Sequence, residues 1–548
     1  MRRTFATFRR AAADPATRRL LFASFAWSAG DAAYLVGLLV WAYTFAGAGA
    51  VALVAVVRTV PSIVLAPALA ALAADRPIDG ILRLTLVVRV VSVALLAGVL
   101  VVDGPVIAAL VLAGIDSIAA TFLRPIRGAA LPAVARSPDE VVAGNVALTT
   151  GDSMAGLVGP LLAGVVLTIA GPAATFLPGL ALLGLSLVSL LGLHAGSPPR
   201  RRPRSTADGV ASAPGRGPRA TLRWLASHPA GPIVATFAVQ RLGRGALTVL
   251  VVAAAVDLLG LGDAGVGLLT AAVGFGGLVG SAAGAALIGR DRLAPTFIIG
   301  LVVWALGIGV VGLAPIAGLA LVALAVGGVG RVLIDVSGTT LLQRTVPNAM
   351  RAPVLGIQEG IVTAALALGS VGASVVIDTA GVAVACVATG LVVGLAALLL
   401  GPAIRRADAA AVVPVHESAL LRGIPMFEPL PMTTMEDLAS GLGWWSVVPG
   451  QVIVERGEPG HCFYVVDQGE VLVQVPDQPD RRLGPGEGFG EIALLRDVPR
   501  TATVTAIGDV RLAGIDQEHF LAAVSGDPHS AAAADAVVAE HLGPSTRG

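Results

Sequence analysis

Apolar residues run in long unbroken stretches from about residue 20 to 402, and beyond 403 they shorten and alternate with polar ones. Each stretch in the first region is about 20 residues, the length at which a helix crosses a hydrocarbon core of about 30 Å. The pattern predicts helices near 21–45, 51–74, 81–102, 105–123, 141–169, 172–194, 231–256, 264–288, 294–313, 316–339, 354–377 and 380–401, twelve in all. In the second region Val452–Val454, Cys462–Val466 and Val471–Val475 read as strands between Gly-containing turns, and the chain from about Gln517 to Leu542 reads as helix. The expected fold class is a polytopic α-helical membrane protein of two six-helix repeats. A small antiparallel β-roll domain, jelly-roll-like and flanked by helices, follows it.

Composition agrees. Of 548 residues 55% are hydrophobic and only 13% charged, half the roughly 25% of soluble proteins. Mean hydropathy is +0.83. A net charge of +1 without a basic face points away from nucleic acid as a partner. The basic residues are all Arg, and with abundant Ala, Gly and Val this reads as a GC-rich bacterial coding bias. Cys386 and Cys462 lie in different regions, so neither a disulfide framework nor a metal cluster is implied. The basic N-terminus followed by an apolar run could pass for a secretory signal. Asp31 and the many later runs favour an uncleaved first membrane helix.

Arginine placement sets orientation, because positive loops stay on the cytoplasmic side. Arg2, Arg3, Arg9, Arg10, Arg18 and Arg19 precede the first helix, and alternate loops carry Arg76 and Arg83, then Arg124, Arg127 and Arg136. Later come Arg200 through Arg223, Arg290 and Arg292, Arg344 and Arg351, and finally Arg405 and Arg406, while the intervening loops hold no Arg. The expectation is a multi-pass protein of the bacterial cell membrane with both termini cytoplasmic. The domains expected are an N-terminal segment 1–20, a first helical half 21–194, a basic linker 195–228, a second half 229–402, a linker 403–416 and a β domain 417–543.

The halves echo one another. Asp75-Arg76 follows the second helix and Asp291-Arg292 the eighth. Leu131-Pro132 with Arg136 is matched by Val346-Pro347 with Arg351, and Asp116 and Arg331 each lie 16 residues before those prolines. Over nearly all of residues 1–402 the chain resembles the major facilitator superfamily. Ala71-Leu72-Ala73-Ala74-Asp75-Arg76 looks like that family's motif between helices two and three, although Ala71 replaces its first Gly and its Arg pair is absent around Asp79-Gly80. Gly159-Pro160-Leu161-Leu162-Ala163-Gly164 resembles the Gly-Pro-x-x-Gly-Gly motif of exporters, or equally a site of close helix packing. The resemblance implies transport of a small molecule of unknown identity through a lipid bilayer.

Charges inside a bilayer are costly, and are kept for function or for pairing. The candidates are Asp31, Arg58, Arg89, Asp116, Asp152, Arg241, Arg244, Arg331, Asp335 and Glu359. Asp31, Asp116, Arg244 and Arg331 are the expected cavity or coupling residues, with Asp31 or Asp116 as a proton-coupling acid. The competing reading makes such groups salt bridges that close one face, and it is preferred for Asp152 and Asp335.

The most specific chemistry lies in Phe489-Gly490-Glu491-Ile492-Ala493-Leu494 followed by Pro499-Arg500-Thr501-Ala502-Thr503-Val504. A cyclic phosphodiester needs a cation, exposed backbone N–H groups and an acceptor for its ribose hydroxyl. Arg500 offers a guanidinium fork, Gly490 opens a short helical turn, and Glu491 can accept from the hydroxyl. The run resembles the phosphate-binding cassette of cyclic-nucleotide-binding domains, as do Gly457 to Val466 and Gly469-Glu470-Val471 with the family's turns, apart from His461 where Asp is common. The resemblance implies that Gly490, Glu491, Ile492, Ala493, Arg500 and Thr501 bind cAMP or cGMP as a regulatory ligand. Thr501 is compatible with either base and cAMP is favoured. A lid is expected from the final helix through Val538 and Leu542.

The leading function is thus a secondary transporter, with export as what the Gly159–Gly164 resemblance implies, regulated by a cytoplasmic cyclic nucleotide. The alternative is a membrane-tethered sensor or scaffold that no longer transports. No Walker loop, metal cluster or nucleophile motif supports an enzyme, and no cofactor is expected.

Overall fold

A computed structural model describes residues 15–73, 78–134, 138–191, 218–285, 292–346, 348–410, 415–430, 434–435, 438–439, 441–476, 479–526 and 528–542. The chain divides into two compact units, Met1–Ala411 and Val412–Gly548.

The first unit is helical. Its helices are α1 (Pro15–Ala73), α2 (Ile78–Val101), α3 (Val106–Val134), α4 (Pro138–Ala170), α5 (Phe176–Leu190), α6 (Pro218–Ser227), α7 (Ala230–Ala253), α8 (Gly262–Ala285), α9 (Ala294–Leu313), α10 (Ala317–Thr345), α11 (Asn348–Ala380) and α12 (Val382–Ala410). Ten helices among the described residues are long and apolar enough to cross a membrane, and α5 is a shorter apolar helix. Within α1 the backbone leaves helical geometry at Ala46 and Gly47, the latter at φ +67°. A left-handed residue cannot continue an α-helix, so α1 consists of two arms that meet between the two helices the sequence predicts there. A π turn, Ala254–Leu258, extends α7.

Packing relies on small residues. A Cβ on Gly159 of α4 would fall 2.3 Å from the Ala29 carbonyl oxygen of α1, and one on Gly164 would fall 3.1 Å from that of Ala264 on α8. The glycines of the exporter-like motif therefore serve close backbone approach, the second of the two readings given to them. Large apolar side chains point outward along the same helices, among them Ile107, Ile169, Leu368 and Leu398.

Two local features go beyond the apolar pattern. The C-terminal end of the basic segment 195–228 is the helix α6, whose Trp224 stacks on His228 with ring centroids 3.8 Å apart. Burial lowers the His228 pKa from its ordinary value. Helix α12 runs past residue 401 to Ala410 because Asp408, buried, accepts from the Leu293 and Ala294 amides at 3.1 Å. Arg292 donates back to the Asp408 carbonyl at 2.8 Å, which ties the end of α12 to the start of α9.

Among its described residues the second unit holds α13 (Val415–Arg422) followed by eight strands. They are β1 (Gly443–Val447), β2 (Val452–Val454), β3 (Cys462–Gln468), β4 (Val471–Gln474), β5 (Arg481–Leu483), β6 (Gly488–Phe489), β7 (Thr503–Ala506) and β8 (Val510–Asp516). Two antiparallel sheets result, β1-β8-β3-β6 and β2-β7-β4-β5. Alternation along the strands turns Val454, Val466, Val471, Leu483, Val504 and Leu512 into one core between the sheets. The helices α14 (Glu491–Arg496), α15 (Gln517–Gly526) and α16 (Pro528–Leu542) also belong to the unit. A second core joins α13, α15 and α16 to the first sheet through Phe427, Phe463 and Phe520, whose rings lie 5.0–6.0 Å apart.

Candidate functional site

The site of the second unit is built around one turn of helix. β6 ends at Phe489, and Gly490 follows in the left-handed region at φ +95°, so that the chain reverses into α14. Only glycine adopts this conformation without strain. Glu491 opens α14 with its side chain buried, and Ala493 behind it is buried too. The first amides of such a turn have no carbonyl partner within the helix.

Arg500 approaches from the other side and is 7% exposed. Its Nη1 donates to the Gly490 carbonyl at 3.1 Å and its Nη2 to the Cys462 carbonyl at 2.8 Å. Its backbone is held by the preceding turn, with the Arg500 amide donating to the Glu458 carbonyl at 2.8 Å and Gly457 donating to the Arg500 carbonyl at 2.9 Å. The Tyr464 ring lies 5.9 Å from the guanidinium carbon. Burial lowers the Arg500 pKa, an effect that Tyr464, Cys462, Glu491 and Glu458 oppose. Both hydrogen-bond acceptors are neutral carbonyls, which fix the fork without cancelling its charge. A rigid, desolvated cation beside open amides is a seat for a monoanionic phosphate.

Gly490, Glu491, Ile492, Ala493, Arg500 and Thr501 are thus gathered at the junction of β6, α14 and the start of β7, with Ile492 and Thr501 half-buried. Sequence reasoning missed Gly460. A Cβ there would fall 2.7 Å from that of Ala493 and 3.2 Å from the Arg500 Cζ, so its lack of a side chain makes room for the cation. The signal was present in the Gly457–Gly460 turn. Val538 is buried on α16, and Arg496 of α14 reaches Asp535 of α16 at 3.2 Å. The Leu542 side chain lies outside the described residues.

Residues 444–527 match the model of the cyclic nucleotide-binding domain family. The second unit carries a cyclic nucleotide-binding domain. Curated proteins similar to it include the cAMP-dependent protein kinase regulatory subunit of Colletotrichum orbiculare, 33% identical over 102 residues, which are 18% of this chain and 26% of that one. The Dictyostelium discoideum regulatory subunit is 36% identical over 114 residues, 19% of this chain and 33% of that one. The chain spans a third or less of the length of these relatives. Among solved structures, the regulatory domain of Toxoplasma gondii PKA with cAMP matches at 24% identity over 26% of this chain and 54% of that one, with a TM-score of 0.22. The sensor domain of the regulator DNR from Pseudomonas aeruginosa matches at 22% identity over 23% and 94%, with a TM-score of 0.21.

In the first unit the structure draws four of the candidate charges together. Arg89, 1% exposed, reaches Asp116 through Nε at 2.8 Å and Asp31 through Nη2 at 2.5 Å. Arg58 reaches the same Asp31 oxygen at 3.3 Å, and its guanidinium lies 5.1 Å from the Tyr34 ring centre. Asp116 has a side chain 1% exposed, while that of Asp31 is 37% exposed. Arg89, named only as one intramembrane charge among ten, is the hub. Asp152 forms a two-pronged pair with Arg127 at 2.8 and 2.9 Å, which fits the structural role preferred for it. Asp335 pairs with Arg331 at 3.3 Å one turn away on α10. Arg244 is exposed on α7. Asp75 and Arg76 lie outside the described residues.

Proposed function

We propose that the chain is a multi-pass transporter of the bacterial cell membrane whose cyclic nucleotide-binding domain regulates it from the cytoplasm. The observation that carries the nucleotide half is the buried Arg500 fork, fixed by carbonyls beside the Gly490 turn with Glu491 next to it. cAMP is the favoured ligand, consistent with relatives that are regulatory subunits of a cAMP-dependent kinase. The membrane half is supported by the ten long apolar helices, to which the second arm of α1 and the short α5 add the remaining two of a twelve-helix design. Outward-facing Ile169 and Leu398, 80% and 73% exposed, suit lipid rather than water. The reading is non-enzymatic. Gating requires that the nucleotide-bound domain favour one state of the membrane unit over the other.

The closed network of Asp31, Arg58, Arg89 and Asp116 favours a second reading, a tethered sensor whose helical unit holds one state. The two are separated by reconstituting the full chain in vesicles and following discharge of a proton gradient by a small-molecule extract, with cAMP or cGMP on either side. Nucleotide-dependent discharge from the side of the C-terminal domain is expected. Discharge without nucleotide dependence removes the gating, and no discharge with intact nucleotide binding leaves the sensor.

A further inference from the structure

The charges of the two helical halves balance differently. Around Arg89 two guanidiniums meet two carboxylates, all within 2.5–3.3 Å. In the α7–α12 half, Arg241 of α7 and Arg331 of α10 both adjoin the contact that Gln240 of α7 makes with Asp335 of α10. Among the described residues the carboxylate paired with Arg331 is Asp335, at 3.3 Å. Among the described residues Arg241 forms no ion pair, and its buried Nε has no hydrogen-bond partner. Beside it Gln240 is fully buried and donates to Asp335 at 3.4 Å, while its Oε1 is left without a partner. The Arg331 Nη2 occupies space over Gly277 of α8, 3.1 Å from where a Cβ would stand.

An uncancelled guanidinium at bilayer depth is expensive, and such groups are retained where something pairs with them. Three polar vacancies lie on Gln240–Arg241 of α7 and on Arg331 of α10, which Asp335 joins: the surplus positive charge, the Arg241 Nε donor and the Gln240 Oε1 acceptor. We propose that a small oxyanion, a carboxylate or phosphate that also carries a hydroxyl or N–H, binds between α7 and α10 on Arg241 and Arg331, and that it is the transported solute. The two guanidiniums take its oxygens, and Gln240 accepts its hydroxyl or N–H. Asp335 holds Arg331 when the site is empty and weakens the hold on the anion when it is filled, which lets the solute leave. The binding rests on the membrane placement proposed above, and the word transported rests also on the transport proposed with it.

The test is thermal unfolding of the full chain in nanodiscs with inorganic phosphate or with succinate, against sodium chloride at equal ionic strength. At least one probe should raise the wild-type midpoint by a few degrees, as binding to the native state alone does. The shift should disappear in R241Q, a variant expected to fold because Arg241 loses no ion pair among the described residues. R241K, which keeps the charge, should retain part of it. D335N should bind the anion about tenfold more tightly because a competing carboxylate is gone. No shift with either probe, or an equal shift in wild type and R241Q, overturns the proposal. The readout is equilibrium binding, so a negative result alongside gradient discharge removes the anion and leaves the transporter. Binding without discharge leaves the site and removes the transport.

Discussion

Gly490 and Arg500 exclude any side chain between them. A Cβ on Gly490 would fall 2.5 Å from the Arg500 Nη1, and the same nitrogen donates to the Gly490 carbonyl at 3.1 Å. G490A must therefore strain a backbone at φ +95° and push the guanidinium off its seat. Nucleotide affinity should fall at least about tenfold, with the unit still folded, since the two costs together exceed about 1.4 kcal/mol. Titration calorimetry of the full chain with cAMP measures this; unchanged affinity would show that Arg500 does not need that position.

Replacing Arg500 itself tests the charge. Hydrogen bonds to a charged group are each worth about 1.5–3 kcal/mol, so R500Q should weaken cAMP binding about a hundredfold. R500K keeps a cation but cannot span the Gly490 and Cys462 carbonyls and an anion together. It should recover only part of the loss. Affinity in R500K equal to wild type would mean that a point charge, not the fork, holds the phosphate.

Much of this was legible in the sequence, and the reasons differ between the units. The long apolar helices could be read because hydropathy over 20 residues is a strong signal, although ten of them stand among the described residues where twelve were expected, two of the expected runs being merged in α1 across Gly47. The nucleotide cassette was legible because a phosphate seat needs local residues, and Gly490 to Thr501 are adjacent. The hub at Arg89 was not. Its partners Asp31 and Asp116 are 58 and 27 residues away, and nothing in the pattern says which of ten charges will meet. Arg241 and Gln240 were invisible as a pair of vacancies for the same reason, since a missing partner is a property of packing.

The two acids of the Arg89 network should separate under substitution. Asp116 and Arg89 both have side chains 1% exposed, and breaking a buried pair by removing one charge costs about 3–5 kcal/mol. D116N should lower the unfolding midpoint of the helical unit by several degrees. D31N should cost less, because the Asp31 side chain is 37% exposed and Arg89 keeps Asp116. If Asp31 carries the coupled proton, D31N also abolishes gradient-driven discharge at near-normal stability. Equal destabilisation by both variants, with discharge intact in D31N, would make Asp31 a structural partner only.

Asp516 caps α15, where it accepts from the His519 amide at 2.9 Å and from its ring nitrogen at 2.7 Å. The His519 amide, chiefly, lowers the Asp516 pKa below the ordinary carboxylate value. A group whose folded pKa is depressed stabilises above its unfolded value, about 3.9, and loses that contribution as pH falls through the folded one. The cap should therefore be fully present at pH 7 and vanish in strong acid. Hydrogen exchange over residues 517–526 provides the measurement. At pH 7 D516A should open this helix about fivefold more often than wild type, the size of a lost N-cap of about 1 kcal/mol. Well below pH 3 the two proteins should converge, because the wild-type carboxyl is then protonated and no longer a charged acceptor. A difference that persists undiminished in acid would assign the protection of α15 to the packing of Phe520 rather than to Asp516.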